Sequence, residues 1–175
     1  MYLIGERIDL VPITENDFEL SMQWLNDLEV TKYMQKPYFQ THKSMCAYLD
    51  AMKEPNLWLK IFVETVKHIG NISLRDNSAN KYYSEISVMI GDKDSWCCGY
   101  ATEAIELLTD YCFRVRNIHK LRAGAVVDNI GCIKAFTKAG YTKETIEKEA
   151  VFAQGKFRDI VIMTYLKKDW EVKND

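Results

Sequence analysis

The stretch from residue 82 to residue 127 constrains this chain most. YYSEISVMIG (82–91) is patterned as a strand. The short polar turn DKDSWCC follows it to Gly99. GYATEAIELLTDYCFRVR (about 99–116) then carries apolar residues at 101, 104, 105, 108, 111, 112 and 115, the helical period. KLRAGAVV (120–127) is a strand again. A strand, a long helix and a second strand form a crossover, the connection that parallel neighbours in a sheet require. The chain is therefore expected to be α/β.

The remaining segments surround that unit. Residues 7–13 alternate as a strand. Thr14 reads as a helix N-cap, with Asp17 three residues on, before Phe18, Leu20, Met22, Trp24 and Leu25. A less regular stretch at 26–39 contains Pro37. Thr41 or His42 opens a second helix with Met45, Tyr48, Leu49 and Met52 on one side. Strands are expected at 57–65 and 68–75, with VKH (66–68) and DNSANK (76–81) as hairpin turns. A short helix at 129–139 is closed by Gly140, and 141–152 with 156–168 form a hairpin around Ala153–Gly155. Residues 169–175 read as a polar tail whose Trp170 is available to dock. The order βαα-βββ-αβ-αββ predicts a mostly antiparallel sheet with one central crossover. At roughly 150 residues per domain, 1–175 is expected to be one domain.

Composition narrows the partners. A hydrophobic share of 47% and a charged share of 27% belong to a folded chain rather than a disordered one. The net charge of −2 gives no overall footprint for nucleic acid or an anionic membrane, though a small basic patch over a phosphate is compatible with it. The five cysteines lack framework spacing, which fits a reducing, cytoplasmic compartment. No metal-ligand spacing links them to His42, His68 or His119, so no metal is expected. MYLIGERIDLVPI lacks the apolar run of a signal peptide, and no stretch nears the roughly 18 apolar residues of a membrane span.

A helix opening at Gly99 presents unpaired amides and the positive end of its dipole, an anion site whose common occupant is diphosphate. Gly99 allows close approach of the backbone, Ala101 keeps the next turn clear and Thr102 adds a hydroxyl. A glycine that merely starts a helix reads the same way, so the spacing alone leaves both open.

Longer matches carry more. Trp96-Cys97-Cys98-Gly99-Tyr100-Ala101-Thr102-Glu103-Ala104 resembles W-G-K-G-Y-A-T-E-A, the acyl-CoA-binding motif of the GNAT superfamily of N-acetyltransferases as it occurs in the branch of the ribosomal-protein N-terminal acetyltransferases. The run from Asn129 through Cys132, Lys134, Phe136, Lys138 and Gly140 to Tyr141 resembles that branch's N-x-x-S-I-x-x-F-x-K-x-G-F. GERIDLVPITENDF resembles its opening. Gly155–Asp159 with Trp170 resembles its last hairpin. The matches run in order over nearly the whole chain.

The resemblance implies a GNAT-like fold in which strand 85–91 splays from strand 120–127. It implies acetyl-CoA as cofactor, an amine as acceptor, and a monomer or homodimer. The pantetheine arm would pair with backbone groups of Val88, Met89 and Ile90 like an added strand. The diphosphate would sit on the amides of Trp96, Cys97, Cys98, Gly99, Tyr100, Ala101 and Thr102. Asn129 would hold the pantetheine or the incoming helix turn, and Lys134 and Lys138 would meet the nucleotide phosphate. Cys97 stands where the motif has glycine, so a negative φ is expected there. Cys98 stands where it often has lysine, which removes one cation.

Acetyl transfer needs a deprotonated amine and a proton for the departing thiolate. Glu85 lies on the motif strand, fourteen residues before Gly99, where some members of the superfamily place a glutamate base. The tyrosine acid of other members is replaced by Phe136. The branch's serine position is Cys132, so either Cys132 or solvent supplies that proton. Acceptor recognition is expected from 26–39 (Tyr33, Met34, Tyr38, Phe39) and from the last hairpin (Glu147, Glu149, Phe152, Phe157). The alternative is a CoA-binding sensor or partner-binding module of the same fold with weak turnover.

Overall fold

The computed structural model describes residues 2–34, 39–63, 67–77, 83–153 and 155–174. Its strands are β1 (Leu3–Ile4), β2 (Ile8–Pro12), β3 (Leu57–Val63), β4 (Lys67–Arg75), β5 (Ser84–Ile90), β6 (Lys120–Val126), β7 (Thr142–Ala153) and β8 (Lys156–Leu166). Its helices are α1 (Phe18–Leu25), α2 (His42–Ala51), α3 (Tyr100–Arg114), α4 (Ile130–Lys138) and α5 (Lys167–Asn174). The strands form one eight-stranded sheet in the order β1-β2-β3-β4-β5-β6-β8-β7. Each neighbouring pair is antiparallel except β5–β6, which α3 joins in parallel.

Local chemistry sets the helix ends. Thr14 and Asp17 form a capping box ahead of α1, with the Thr14 N–H donating to Asp17 Oδ2 at 2.8 Å. Thr41 caps α2 by accepting from the Ser44 N–H at 3.3 Å. Asn129 caps α4 in the same way from the Cys132 N–H at 3.2 Å.

Two apolar layers enclose the sheet. Leu59, Ile72, Leu74 and Ile86 pack with Leu108 and Phe113 of α3 and Phe136 of α4. Ile13 and Trp58 pack with Phe18 of α1 and Met45 of α2. Trp58 and Leu59 are adjacent and join different layers, as alternation along a strand demands.

The relation between β5 and β6 matters most for function. β5 pairs with β4 from Gly70↔Ile90 to Arg75↔Glu85. It pairs with β6 only at Ser84↔Leu121 and Glu85↔Arg122. Beyond Glu85 the two strands part, as the resemblance implies.

Several expectations need correction. β1 was not foreseen; two residues are too few to show a period. Lys67 is not a turn residue but the first of β4, opposite Val63, while His68 stands in the strand as expected, opposite Phe62. Residues 64–66 and 78–82 of the expected turns and strand starts lie outside the described residues, as do Pro37, Tyr38 and Gln154. The polar tail folds as α5, and Trp170 docks on Phe113, with ring centroids 5.7 Å apart and Arg114 over the indole at 4.9 Å.

Candidate active site

α3 opens at Gly99, whose φ of +86° is the left-handed region that glycine enters without strain. A Cβ built there would meet only Arg7, at 3.4 Å, so the space over the turn is open. Residues 96–99 are exposed. The Trp96 amide already donates to the Lys93 carbonyl at 3.1 Å, so free donors begin after it. Among the described residues the amides from Cys97 to Thr102 donate to no backbone carbonyl. The Trp96 indole N–H bonds the Ile90 carbonyl at 2.9 Å and ties the turn to the end of β5. Asp92 braces the turn from below. Burial opposes its charge, but bonds from Lys67 and Ser95 hold its carboxyl below the usual range.

Cys97 corrects the expectation of a negative φ: it sits at +62°. The turn keeps the conformation that the motif's glycine would take, and the cysteine accepts it at a cost of about 1–2 kcal/mol. The neighbours explain this. The indole bond of Trp96 on one side and the left-handed Gly99 on the other fix the chain's path through Cys97. Both Cys97 and Cys98 are free and exposed.

The sequence reading missed Arg7. Its backbone N–H and Nε donate to the two oxygens of Glu103 at 2.7 and 2.8 Å. Its Nη1 donates to the Cys98 carbonyl at 3.1 Å, and its guanidinium lies 5.0 Å from the centre of the Tyr100 ring. Thus a cation from the chain's opening stands at the turn where Cys98 has replaced lysine. Glu103, inside the matched motif, was the one signal available; nothing local pairs it with Arg7.

A groove of about 730 Å³ starts at this turn, and Arg7, Gly99, Thr102 and Lys138 line it. Lys134 and Lys138 are exposed, and neither makes an ion pair among the described residues. Glu106 also lines the groove; burial, then the neighbouring Glu103 charge, pushes its carboxyl up.

On β5, Ile86 belongs to the layer under α3, with Val88 and Ile90 packed against it. Glu85, Ser87 and Met89 therefore face α1 and α2. Ser87 and Met89 line a second cavity of about 110 Å³ with Met45 and Tyr48 of α2. Glu85 is half-buried and makes no side-chain hydrogen bond or ion pair among the described residues. Arg122, its register partner, is turned aside: Nη2 bonds Glu147 at 2.8 Å and Nη1 bonds the Tyr83 hydroxyl at 3.3 Å. Glu147 is thus paired with Arg122 and stays exposed. Met34 reaches the cavity, whereas Phe39, Phe152 and Phe157 are largely exposed. Tyr33 and Glu149 are not among its lining residues.

Asn129 holds the helix turn at Cys132, one of the two roles expected. Burial pushes the Cys132 thiol up to about 11. Tyr141 is buried and bonds Thr109 at 2.9 Å, a core residue rather than an acid, and Phe136 packs edge-on against it. Behind the cavity, His68 Nε2 lies 2.8 Å from Asn71 Oδ1 and 3.0 Å from the Gly70 carbonyl. Both partners accept, so this nitrogen carries the proton.

No helix among the described residues is long and apolar enough to cross a membrane. Residues 7–142 match the acetyltransferase (GNAT) domain family. An uncharacterised N-acetyltransferase of Bacillus licheniformis, p20, is 26% identical over 96% of this chain and 97% of its own. Another from Bacillus subtilis, YnaD, is 23% identical over 97% and 99%. The fold matches spermidine N-acetyltransferase from Vibrio cholerae, solved with CoA and spermine, with a TM-score of 0.86, 17% identity and coverage of 94% and 98%. It also matches RimL, a ribosomal L7/L12 alpha-N-protein acetyltransferase in complex with CoA, with a TM-score of 0.83, 14% identity and coverage of 95% and 98%. With its parted β5 and β6, its glycine-opened α3 and a family match over most of its length, this chain belongs to the GNAT family of N-acetyltransferases.

Proposed function

We propose that this chain moves an acetyl group from acetyl-CoA to a primary amine by direct attack on the thioester. The observation that carries the reading is one juxtaposition. The open turn at Gly99, with Arg7 beside it, adjoins the edge of β5 that β6 leaves unpaired.

The residues present fit the cofactor. The amides from Cys97, Cys98, Gly99, Tyr100 and Ala101 to Thr102 would hold its diphosphate, with Arg7 as the nearby cation. Lys134 and Lys138 would meet the nucleotide phosphate. The free edge of β5 at Val88, Met89 and Ile90 would take the pantetheine arm as a strand takes a neighbour. The Ile90 carbonyl already accepts the Trp96 indole and has a second lone pair to offer.

When bound, acetyl-CoA supplies an activated acetyl carbonyl that accepts the amine nitrogen while the carbon–sulfur bond breaks and CoA departs. Glu85 then takes the proton that the attacking nitrogen must lose. Its lack of an ion-pair partner keeps the carboxylate available, and its face of β5 is the one that carries the second cavity. Either solvent or Cys132, whose thiol is kept protonated by burial but also made a weaker donor by it, gives the proton to the departing thiolate. Positioning both partners in one cleft supplies much of the acceleration. Five free thiols fit a reducing, cytoplasmic compartment.

The test has two parts. Acetyl-CoA should raise the melting temperature in a concentration-dependent way, because it binds only the native state. Gly99→Glu, which puts bulk and negative charge on the turn, should abolish that shift. A panel of primary amines should then release CoA and yield the acetylated amine by mass. No melting shift with acetyl-CoA, or no acetylated product from any amine, overturns the reading.

A further inference from the structure

We infer that the acceptor is a primary amine carrying an uncharged, apolar group of about four or five carbon atoms, seated in the cavity between β5 and α2. This deepens the transferase reading and rests on it.

The described lining carries no charge. None of its lining residues among those described is ionisable as Asp, Glu, Lys, Arg or His. Leu25, Met34, Met45 and Trp58 give it apolar walls, and methionines adapt their shape to irregular occupants. Lys60, on the neighbouring strand β3, is already matched: its Nζ lies 2.8 Å from Asp17 Oδ1. An amine with a second ammonium, such as a polyamine, would lose that group's water with no counter-ion among the described lining residues.

Its size sets the length. A volume of about 110 Å³ is below the roughly 150 Å³ of an apolar cavity that takes benzene. By that comparison the space suits a chain of about four or five carbon atoms better than an indole.

Its polar edge sets the orientation. Ser73 and Ser87 face each other across β4 and β5, and both line the cavity. Ser73 is 7% exposed, yet its hydroxyl makes no hydrogen bond among the described residues. Ser73 lines the cavity and its hydroxyl is not sealed from it, so it can take a partner there. An N–H of the incoming amine would supply one. Ser87 stands two residues, about 7 Å, from Glu85 on the same face, so an amine held by the two serines lies on the side of the base.

The kinetic test measures CoA release with 3-methylbutylamine, leucinamide and a leucine-initiated tetrapeptide against lysinamide and spermidine. At least one apolar acceptor should exceed both cationic ones at least tenfold in kcat/KM. Preference for the tetrapeptide would assign the group to a polypeptide N-terminus, and preference for the small amines to a free metabolite. Gln40→Glu adds a carboxylate to the lining and keeps an oxygen for the bond from Ser44 Oγ, now 3.2 Å long. It should narrow the apolar-to-cationic ratio at least fivefold. Spermidine or lysinamide matching the apolar acceptors, or an unchanged ratio in Gln40→Glu, overturns the inference.

A binding arm separates this inference from the reading beneath it. Calorimetry on the CoA-saturated protein compares 3-methylbutylamine with spermidine. Tighter binding of the apolar amine without turnover upholds the pocket and overturns transfer. Equal, reversed or absent binding overturns the pocket whatever the turnover.

Discussion

Arg7 and Glu103, 96 residues apart in sequence, are joined at two points, through the Arg7 backbone N–H at 2.7 Å and its Nε at 2.8 Å. This fixes the guanidinium beside Gly99, where its Nη1 also holds the Cys98 carbonyl.

Arg7→Ala should therefore weaken acetyl-CoA binding about tenfold. That is the lower end for a charge-assisted hydrogen bond, appropriate to a half-exposed side chain. S-acetylpantetheine, which lacks the diphosphate, should be used as well by the variant as by the native chain. Calorimetry and kinetics with both compounds check this. Equal losses for the two would mean that Arg7 only shapes the turn.

Cys97 holds a left-handed conformation that its Cβ opposes. Cys97→Gly should relieve part of that cost. Glycine's greater freedom in the unfolded chain offsets the rest, so the expected net gain is about 1 kcal/mol. Thermal denaturation should show a rise of about 2–4 °C. A lower melting temperature would contradict the strain.

Burial holds His68 below the ordinary imidazole range, against the pull of its bonds to Asn71 and Gly70 and of the Asp17 charge. The unfolded chain takes a proton there near 6.5 while the folded chain resists it. The neutral histidine's contribution is therefore complete above that value and is lost as pH falls toward the folded value. Melting temperatures of native protein and His68→Gln should draw together between pH 7.5 and 5.5. A constant gap would show that His68 does not titrate in folding.

Cys132 should matter through its proton. Cys132→Ser should keep kcat within about threefold, and Cys132→Ala should lose about tenfold at unchanged acetyl-CoA affinity, the modest effect expected of a weak donor. An alanine variant at native rate assigns the proton to water.

What the sequence disclosed followed from periodicity and punctuation. The apolar spacing of α3, the cap at Thr14, the helix opening at Thr41 or His42 and the close at Gly140 are local signals that stand in the fold; that Asn129 holds a helix turn came from the resemblance. The parting of β5 from β6 came from the resemblance alone, since no local pattern tells a strand where to lose its partner. Arg7 was invisible because its contact with Glu103 joins residues 96 apart in sequence. The φ of Cys97 was misjudged because the side-chain penalty is local, whereas Trp96 and Gly99 impose the turn from outside. The pairing of Glu147 with Arg122 joins residues 25 apart and left no local signal. α5 has little apolar content, and only the docking of Trp170 on Phe113 explains it.

The most direct measurement is the pH dependence of kcat for Glu85→Gln, taken with its acetyl-CoA affinity. Glu85 shares a face of β5 with the cavity and makes no side-chain ion pair or hydrogen bond among the described residues. The variant should bind acetyl-CoA as the native chain does and lose about 10²–10⁴-fold in kcat at neutral pH. The defect should shrink as rising pH deprotonates the amine unaided. Native turnover across the whole range, or a matching loss of cofactor affinity, would contradict the assignment of Glu85 as the base.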